Sequence, residues 1–122
     1  MPPVSAGLYS LKFYLRSVGI PFEEEFRFHH TRKWRFDIAL PALKIAIEYD
    51  GHGQTGGRAH IGRHASVTGM AGDCEKINQA QILGWRVLRF TALHFDSTAR
   101  RKNKLSPPLE LLELAIAAGA PD

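Results

Sequence analysis

Three acidic residues, Asp37, Glu48 and Asp50, lie on two short β-prone runs and could together bind a metal ion. The first run, residues 34–40, contains Asp37, and the second, residues 43–51, ends with the other two acids. Only a Pro-Ala pair separates the runs, so the pattern predicts an antiparallel hairpin that brings Asp37 near Glu48. Crowded carboxylates repel each other, and a hard cation such as Mg²⁺ is the usual compensation. The sequence therefore predicts a metal site suited to phosphodiester chemistry.

The elements that must position these acids follow from the apolar periodicity and the turn residues. The predicted order is helix, three strands, helix, strand, helix, which is an α/β arrangement. A glycine-rich segment at 51–72 and a basic connection at 100–104 join some of these elements. On the second helix we expect a buried stripe of Cys74, Ile77, Ala80 and either Ile82 or Leu83. The predicted elements are helix 5–18, strands 24–29, 34–40 and 43–51, helix 71–83, strand 85–91 and helix 107–117.

Composition sets the outer limits. The 122 residues, 44% of them hydrophobic, predict one domain with one core, spanning 1–122. A net charge of +4 suits a polyanionic partner, although many small domains are equally basic. The single Cys74 indicates a reducing compartment, where it is most simply a small apolar residue. The N-terminus lacks a basic region followed by an apolar one, and no apolar run approaches the roughly 20 residues that span a bilayer. We therefore expect no membrane segment and a cytoplasmic location.

Four blocks of residues carry a resemblance to a known family. They are residues 34–37, 43–51, 73–78 and 83–90. In this order and spacing they resemble the small stand-alone endonuclease-like proteins related to the very short patch repair endonuclease, in the PD-(D/E)XK nuclease superfamily. Many similar chains are carried by bacteriophages or bacterial mobile elements, which would place the protein in the bacterial host cytoplasm. The resemblance covers about residues 8–92 and implies a restriction-endonuclease-like core of order α-β-β-β-α-β, followed by a C-terminal helix at about 107–118.

The resemblance also implies roles for individual residues. Asp37 matches the first acidic metal ligand of the family, Glu48 matches the second, and the backbone carbonyl of Tyr49 could be a further ligand for Mg²⁺, with Mn²⁺ as a substitute. The family motif has a lysine two residues after the second acid, and this chain has Asp50 there. Asp50 would then assist as a ligand or base, and Lys76 is the first candidate for the missing positive charge, with Gln79 as a polar substitute. Residues 7–10 also lack the glutamate that relatives often carry in the opening helix.

Histidines and basic residues supply further candidates. His52, beside Asp50, is the preferred histidine for a general base, with an unperturbed pKa of about 6.5 for such a side chain. We expect DNA contacts from His60 and His64 and from basic residues in two segments; Trp34 could stack on a base. The alternatives for the histidines are that they are simply exposed to solvent, or that they form a zinc site with Cys74. An HNH-type nuclease is an alternative for the whole site. The basic DNA-binding candidates are Arg32, Lys33, Arg35, Arg58 and Arg63.

The functional hypothesis is a Mg²⁺-dependent DNA endonuclease or nickase that hydrolyses phosphodiester bonds, with DNA as its partner. One alternative is a structure-selective resolvase that cuts branched DNA such as a Holliday junction, a role that a homodimer would favour. Another is a catalytically inactive DNA-binding module on a nuclease fold, which the absent motif lysine and helix glutamate suggest. The need for a divalent ion distinguishes the nucleases from the binding module.

Overall fold

A computed structural model of the chain describes residues 6–50 and 66–120. These residues form a mixed α/β fold, a four-stranded sheet with helices on both faces. Within the described residues, no helix is long and apolar enough to cross a membrane. The elements are α1 (Ala6–Val18), β1 (Glu23–Arg27), β2 (Arg35–Leu40), β3 (Ile45–Asp50), α2 (Val67–Ile82), β4 (Arg86–Thr91), a 3₁₀ turn (Ala92–Phe95), α3 (Ser97–Asn103) and α4 (Pro108–Ala118).

The sheet has the strand order β1-β2-β3-β4. The pairs β1–β2 and β2–β3 are antiparallel, whereas β3 and β4 are parallel. Parallel neighbours need a crossover connection, and α2 lies between β3 and β4 in the chain. The predicted hairpin is confirmed, since Ile38 pairs with Ile47 and Leu40 with Ile45 across its turn.

Two apolar clusters cover the two faces of the sheet. On one face, Leu11 and Leu15 of α1 and Leu112 of α4 pack in a cluster with Ile45 and Ile47 of β3. On the other face, Ala80 of α2 packs in a cluster with Ala46, Phe36 and Trp85. Because side chains alternate along a strand, the residue after Ile47, Glu48, belongs to the face that α2 covers.

The helix α2 differs from its prediction in extent and in its buried side. It begins at Val67, where the Ser66 side chain accepts a hydrogen bond from Gly69 N. Of the predicted stripe only Ala80 is fully buried; Cys74, Ile82 and Leu83 are exposed and Ile77 is half-buried. The prediction of that stripe was wrong because polar residues of α2, above all Lys76, face the sheet at the candidate site described below.

The predicted basic connection at 100–104 was also wrong in part, because most of it is helical. Residues 97–103 form α3, whose first turn is capped by the Asp96 carboxylate, with Oδ1 2.9 Å from Thr98 N and 3.2 Å from Ala99 N. Lys104 ends the helix in a left-handed conformation with φ of 57°. The cap outweighs the run of like charges, which is tolerated on an exposed surface.

Arg86 connects β4 to two other segments. Its Nη1 donates to the Ala115 carbonyl of α4 at 2.9 Å, and its Nη2 donates to the Leu43 carbonyl at 2.8 Å. We expect Arg86→Met to leave both carbonyls unsatisfied and to lower the free energy of unfolding by about 1–3 kcal/mol. Urea denaturation measures this loss, with the exposed Arg101→Met as the control. Equal midpoints for the two variants would contradict the assignment.

Candidate functional site

The strand β2 has an irregularity at Asp37. The β1–β2 pairing skips Glu25 and Asp37, and Glu25 is left-handed, with φ of 50°. Phe36 belongs to the cluster on the α2 face and Ile38 to the cluster on the opposite face, although regular alternation would put residues two apart on the same face. Here the irregularity takes Asp37 out of the regular ladder with β3.

Side chains replace the next hydrogen bonds of that ladder. The Asp37 N–H donates to Glu48 Oε2 at 3.1 Å, and the Tyr49 N–H donates to Asp37 Oδ2 at 2.7 Å. The hairpin therefore brings the two acids together, as the sequence predicts. Because each carboxylate accepts from backbone that the other strand supplies, both side chains are held in fixed positions.

Lys76 reaches the same place from α2. Its Nζ lies 2.5 Å from Glu48 Oε1 and 2.6 Å from the Arg35 carbonyl oxygen. The side chains of Lys76 and Glu48 are only 17% and 15% exposed, so this ion pair is largely shielded from solvent. The sequence predicts Lys76 as the cation that replaces the motif lysine, and the structure puts its ammonium group on the second acid.

Burial of the Glu48 carboxyl raises its pKa above the ordinary range, against the opposing effect of Lys76, while the nearby Asp37 carboxylate adds to the rise. A raised pKa means that the native state binds the Glu48 proton more tightly than the unfolded state does. Protonated Glu48 therefore adds to the free energy of unfolding at a pH below the ordinary pKa of glutamate, and this contribution is lost as the pH rises through the pKa that Glu48 has in the folded protein. Ionised Glu48 is thus held at a cost to stability, a feature that is common at functional sites.

Asp50 lies further along β3, beside a residue that the sequence analysis missed. Arg89 pairs with Glu48 in the parallel ladder, and its Nη2 lies 3.6 Å from Asp50 Oδ2 and 3.5 Å from Asp73 Oδ2. Asp50 is therefore beside a cation, although not beside Lys76. The signal for Arg89 was present, since it is a charge inside the apolar run of β4, the same feature that singled out Asp37 in β2.

The donor set can be compared with what a metal needs. In the part of the chain that the structure describes, no three His, Cys, Asp or Glu side chains are grouped to hold an ion. The carboxylates of Asp37 and Glu48 each accept a backbone N–H from the other's strand, which makes them neighbours, and no described donor hydrogen-bonds to Asp37 Oδ1. Mg²⁺ commonly binds through one or two carboxylates and completes its shell with water and substrate phosphate. Asp37 and Glu48 therefore supply the number of carboxylates that such a site commonly uses. The structure places Tyr49 at the site through its amide, and the role of its carbonyl stays a prediction.

The remaining predicted residues divide into two groups. Arg32 and Lys33 are exposed on the connection between β1 and β2, and Arg35 is exposed at the start of β2, with its carbonyl bound to Lys76. The others lie outside the described residues and stay predictions: His52, Arg58, His60, Arg63 and His64.

Comparisons of the chain with protein-family models, with curated proteins and with solved structures found no match. The functional argument therefore depends on the residues and their geometry.

Proposed function

We propose that this protein is a Mg²⁺-dependent DNA endonuclease or nickase, with Mn²⁺ as a substitute, and that its α/β fold is the restriction-endonuclease-like core. The observation that carries the proposal is the meeting of Asp37, Glu48 and Lys76 at the end of the β2–β3 hairpin. Two carboxylates can hold a metal ion against a phosphodiester, and an ammonium group can stabilise the charge that develops on the phosphate.

Asp37 and Glu48 would hold the ion, which when bound polarises a phosphoryl oxygen and lowers the pKa of an attacking water. Asp37 is oriented for this by the Tyr49 N–H, and Glu48 by the Asp37 N–H and Lys76. Lys76 is held between Glu48 and the Arg35 carbonyl, so its positive charge is already positioned beside the two acids. Asp50, paired with Arg89, would assist from the neighbouring position on β3.

The order of helices and strands along the chain supports the proposal of a restriction-endonuclease-like core. The core of the superfamily has the order α-β-β-β-α-β, and the elements α1 to β4 follow that order, with the two acids on the second and third strands. The helices α3 and α4 are additions after this core.

Cleavage of supercoiled plasmid by the purified protein tests the proposal. We expect nicked circles with Mg²⁺ or Mn²⁺ and none with EDTA. A branched junction beside a linear duplex of the same sequences separates a general nickase from a structure-selective resolvase. If the protein cuts neither the plasmid nor the junction with Mg²⁺ or with Mn²⁺, and still binds DNA in EDTA, the binding-module alternative replaces the nuclease.

A further inference from the structure

A column of planar side chains leads from the core to the surface beside the candidate site. The ring of Phe28 lies on the buried ring of Phe36, with centroids 4.1 Å apart and planes at 3°. The indole of Trp34 is nearly parallel to Phe28, at 6.0 Å and 13°. The guanidinium carbon of Arg32 lies 4.0 Å over the Trp34 ring. We call this set the aromatic column. Its outer end is the half-exposed indole of Trp34, which the Arg32 side chain covers.

The backbone that carries the outer end of the column is held in place by His29. Its Nδ1 accepts hydrogen bonds from Thr31 N at 3.2 Å and from Arg32 N at 3.0 Å. The ring proton is therefore on Nε2, which lies 3.4 Å from Gln79 Oε1 on α2. The His29 ring also meets Trp34 edge to face, at 5.2 Å and 77°. The indole is thus presented on a preorganised turn, which lowers the entropy cost of binding to it.

Positive charge is concentrated on the segment that carries this outer end. Arg32, Lys33 and Arg35 are all exposed, and none of them forms an ion pair with another described residue. Arg27 lies directly opposite Arg35 in the β1–β2 ladder and is exposed as well, and because this pair follows Phe26–Phe36 it belongs to the face of the sheet opposite to the aromatic column. Like charges opposite each other destabilise a sheet, so the arrangement costs stability unless an anion binds there. An aromatic platform that carries Arg32 on its face, next to the exposed Lys33, matches the chemistry of a base and its flanking phosphates.

We propose that the outer end of the aromatic column binds an unpaired DNA base, which stacks on Trp34. Arg32 gives up its place over the indole and, with Lys33, contacts the flanking phosphates. A paired base cannot bind in this way because its neighbours in the duplex cover both of its faces. Trp34 is three residues before Asp37, a separation of about 10 Å along an extended strand, so the base would lie within a few nucleotides of the cleaved phosphate. The inference rests on the proposed function and names its substrate class as DNA with unpaired bases.

Binding in EDTA tests this inference without any turnover. The probes are a labelled duplex and the same duplex with a short central bubble of mismatched bases. We expect the wild-type protein to bind the bubble about tenfold more tightly, since an unpaired base can stack on the indole and a paired base cannot. Trp34→Leu should bind both DNAs with the affinity of the paired duplex. Lys33→Gln should weaken both equally, because a phosphate contact does not read pairing.

Indole fluorescence gives a second readout that needs no change at Trp34. Trp85 is buried, 5% exposed, so the half-buried Trp34 is the indole that DNA can reach. In Trp85→Phe, we expect the bubble DNA to quench the remaining fluorescence and the paired duplex to leave it nearly unchanged. Equal quenching by both DNAs, or a bubble preference that survives in folded Trp34→Leu, would overturn the inference. Selective binding without plasmid nicking would instead retain the inference and reject the nuclease.

Discussion

Asp37→Asn is expected to reduce metal-dependent nicking by about 10²–10⁴-fold, because a carboxylate ligand of a catalytic ion contributes several kcal/mol to the transition state. The side-chain oxygen of asparagine can still accept the Tyr49 N–H, which Asp37 binds at 2.7 Å, so the strand connection is preserved. The variant loses the charge and keeps the hydrogen bond. Affinity for plasmid in EDTA should be unchanged or slightly higher, since one negative charge near the phosphates has been removed.

Asp96→Asn is the matched control for this experiment. Asp96 also accepts backbone hydrogen bonds through its carboxylate, from Thr98 N and Ala99 N at the start of α3. If loss of a carboxylate that accepts backbone hydrogen bonds lowered activity only by destabilising the protein, both variants would lose nicking in proportion to the decrease in their melting temperatures. Full nicking by Asp37→Asn, with Mg²⁺ at the wild-type requirement, would remove Asp37 from the metal site and the nuclease proposal with it.

Much of the fold could be predicted because its signals are local. The apolar spacing of α1, the alternation and short turn of the β2–β3 hairpin, and the glycine after α2 each specify an element within a few residues. The element bounds that were wrong depend on side-chain contacts that apolar spacing and strand alternation do not show. β1 ends at Arg27 rather than at residue 29 because His29 bonds the turn that follows, a contact that strand alternation cannot reveal.

The candidate site was predictable to a similar degree. The hairpin alone implies that Asp37 approaches Glu48, and no long-range information is needed. That Lys76 lies on Glu48, 28 residues away in sequence, was available only through the resemblance. Arg89 was missed because the sequence analysis gave the charges of the last strand no role, and the parallel register that puts Arg89 beside Glu48 is a tertiary property. The irregularity at Asp37 has no sequence signal that we can identify.

Lys76→Met is expected to change the acidity of Glu48, the affinity for metal and the rate of cleavage in different directions. Burial raises the pKa of Glu48, and the Lys76 charge and hydrogen bond oppose that rise. Without the ammonium group the pKa of Glu48 should rise further, and a metal ion must compete with the proton for this carboxylate. The midpoint of the pH dependence of Mn²⁺ binding should therefore move to higher pH. Isothermal titration across the pH range measures it.

Well above that midpoint the sign reverses. Lys76 occupies Glu48 Oε1 at 2.5 Å and repels a nearby cation, so its removal should tighten Mn²⁺ binding once Glu48 is ionised. The cleavage rate at saturating metal should nevertheless fall by about 10²–10³-fold, the usual effect of removing one preorganised group that stabilises charge in the transition state. Tighter metal binding with slower cleavage distinguishes an electrostatic role in catalysis from a purely structural one.

Lys12→Met provides the matched control. Lys12 forms an ion pair with Glu24 on the other face of the sheet, with its Nζ 3.0 Å from Glu24 Oε1, and the Lys12 side chain is 19% exposed. This variant should leave the metal affinity, the pH midpoint and the cleavage rate unchanged. A Lys76→Met protein that binds Mn²⁺ with the wild-type pH dependence would show that Glu48 is not a ligand. One that also cleaves at the wild-type rate would show that the positive charge in catalysis comes from another residue, for which Arg89, the neighbour of Glu48 in the β3–β4 ladder, is the next to substitute.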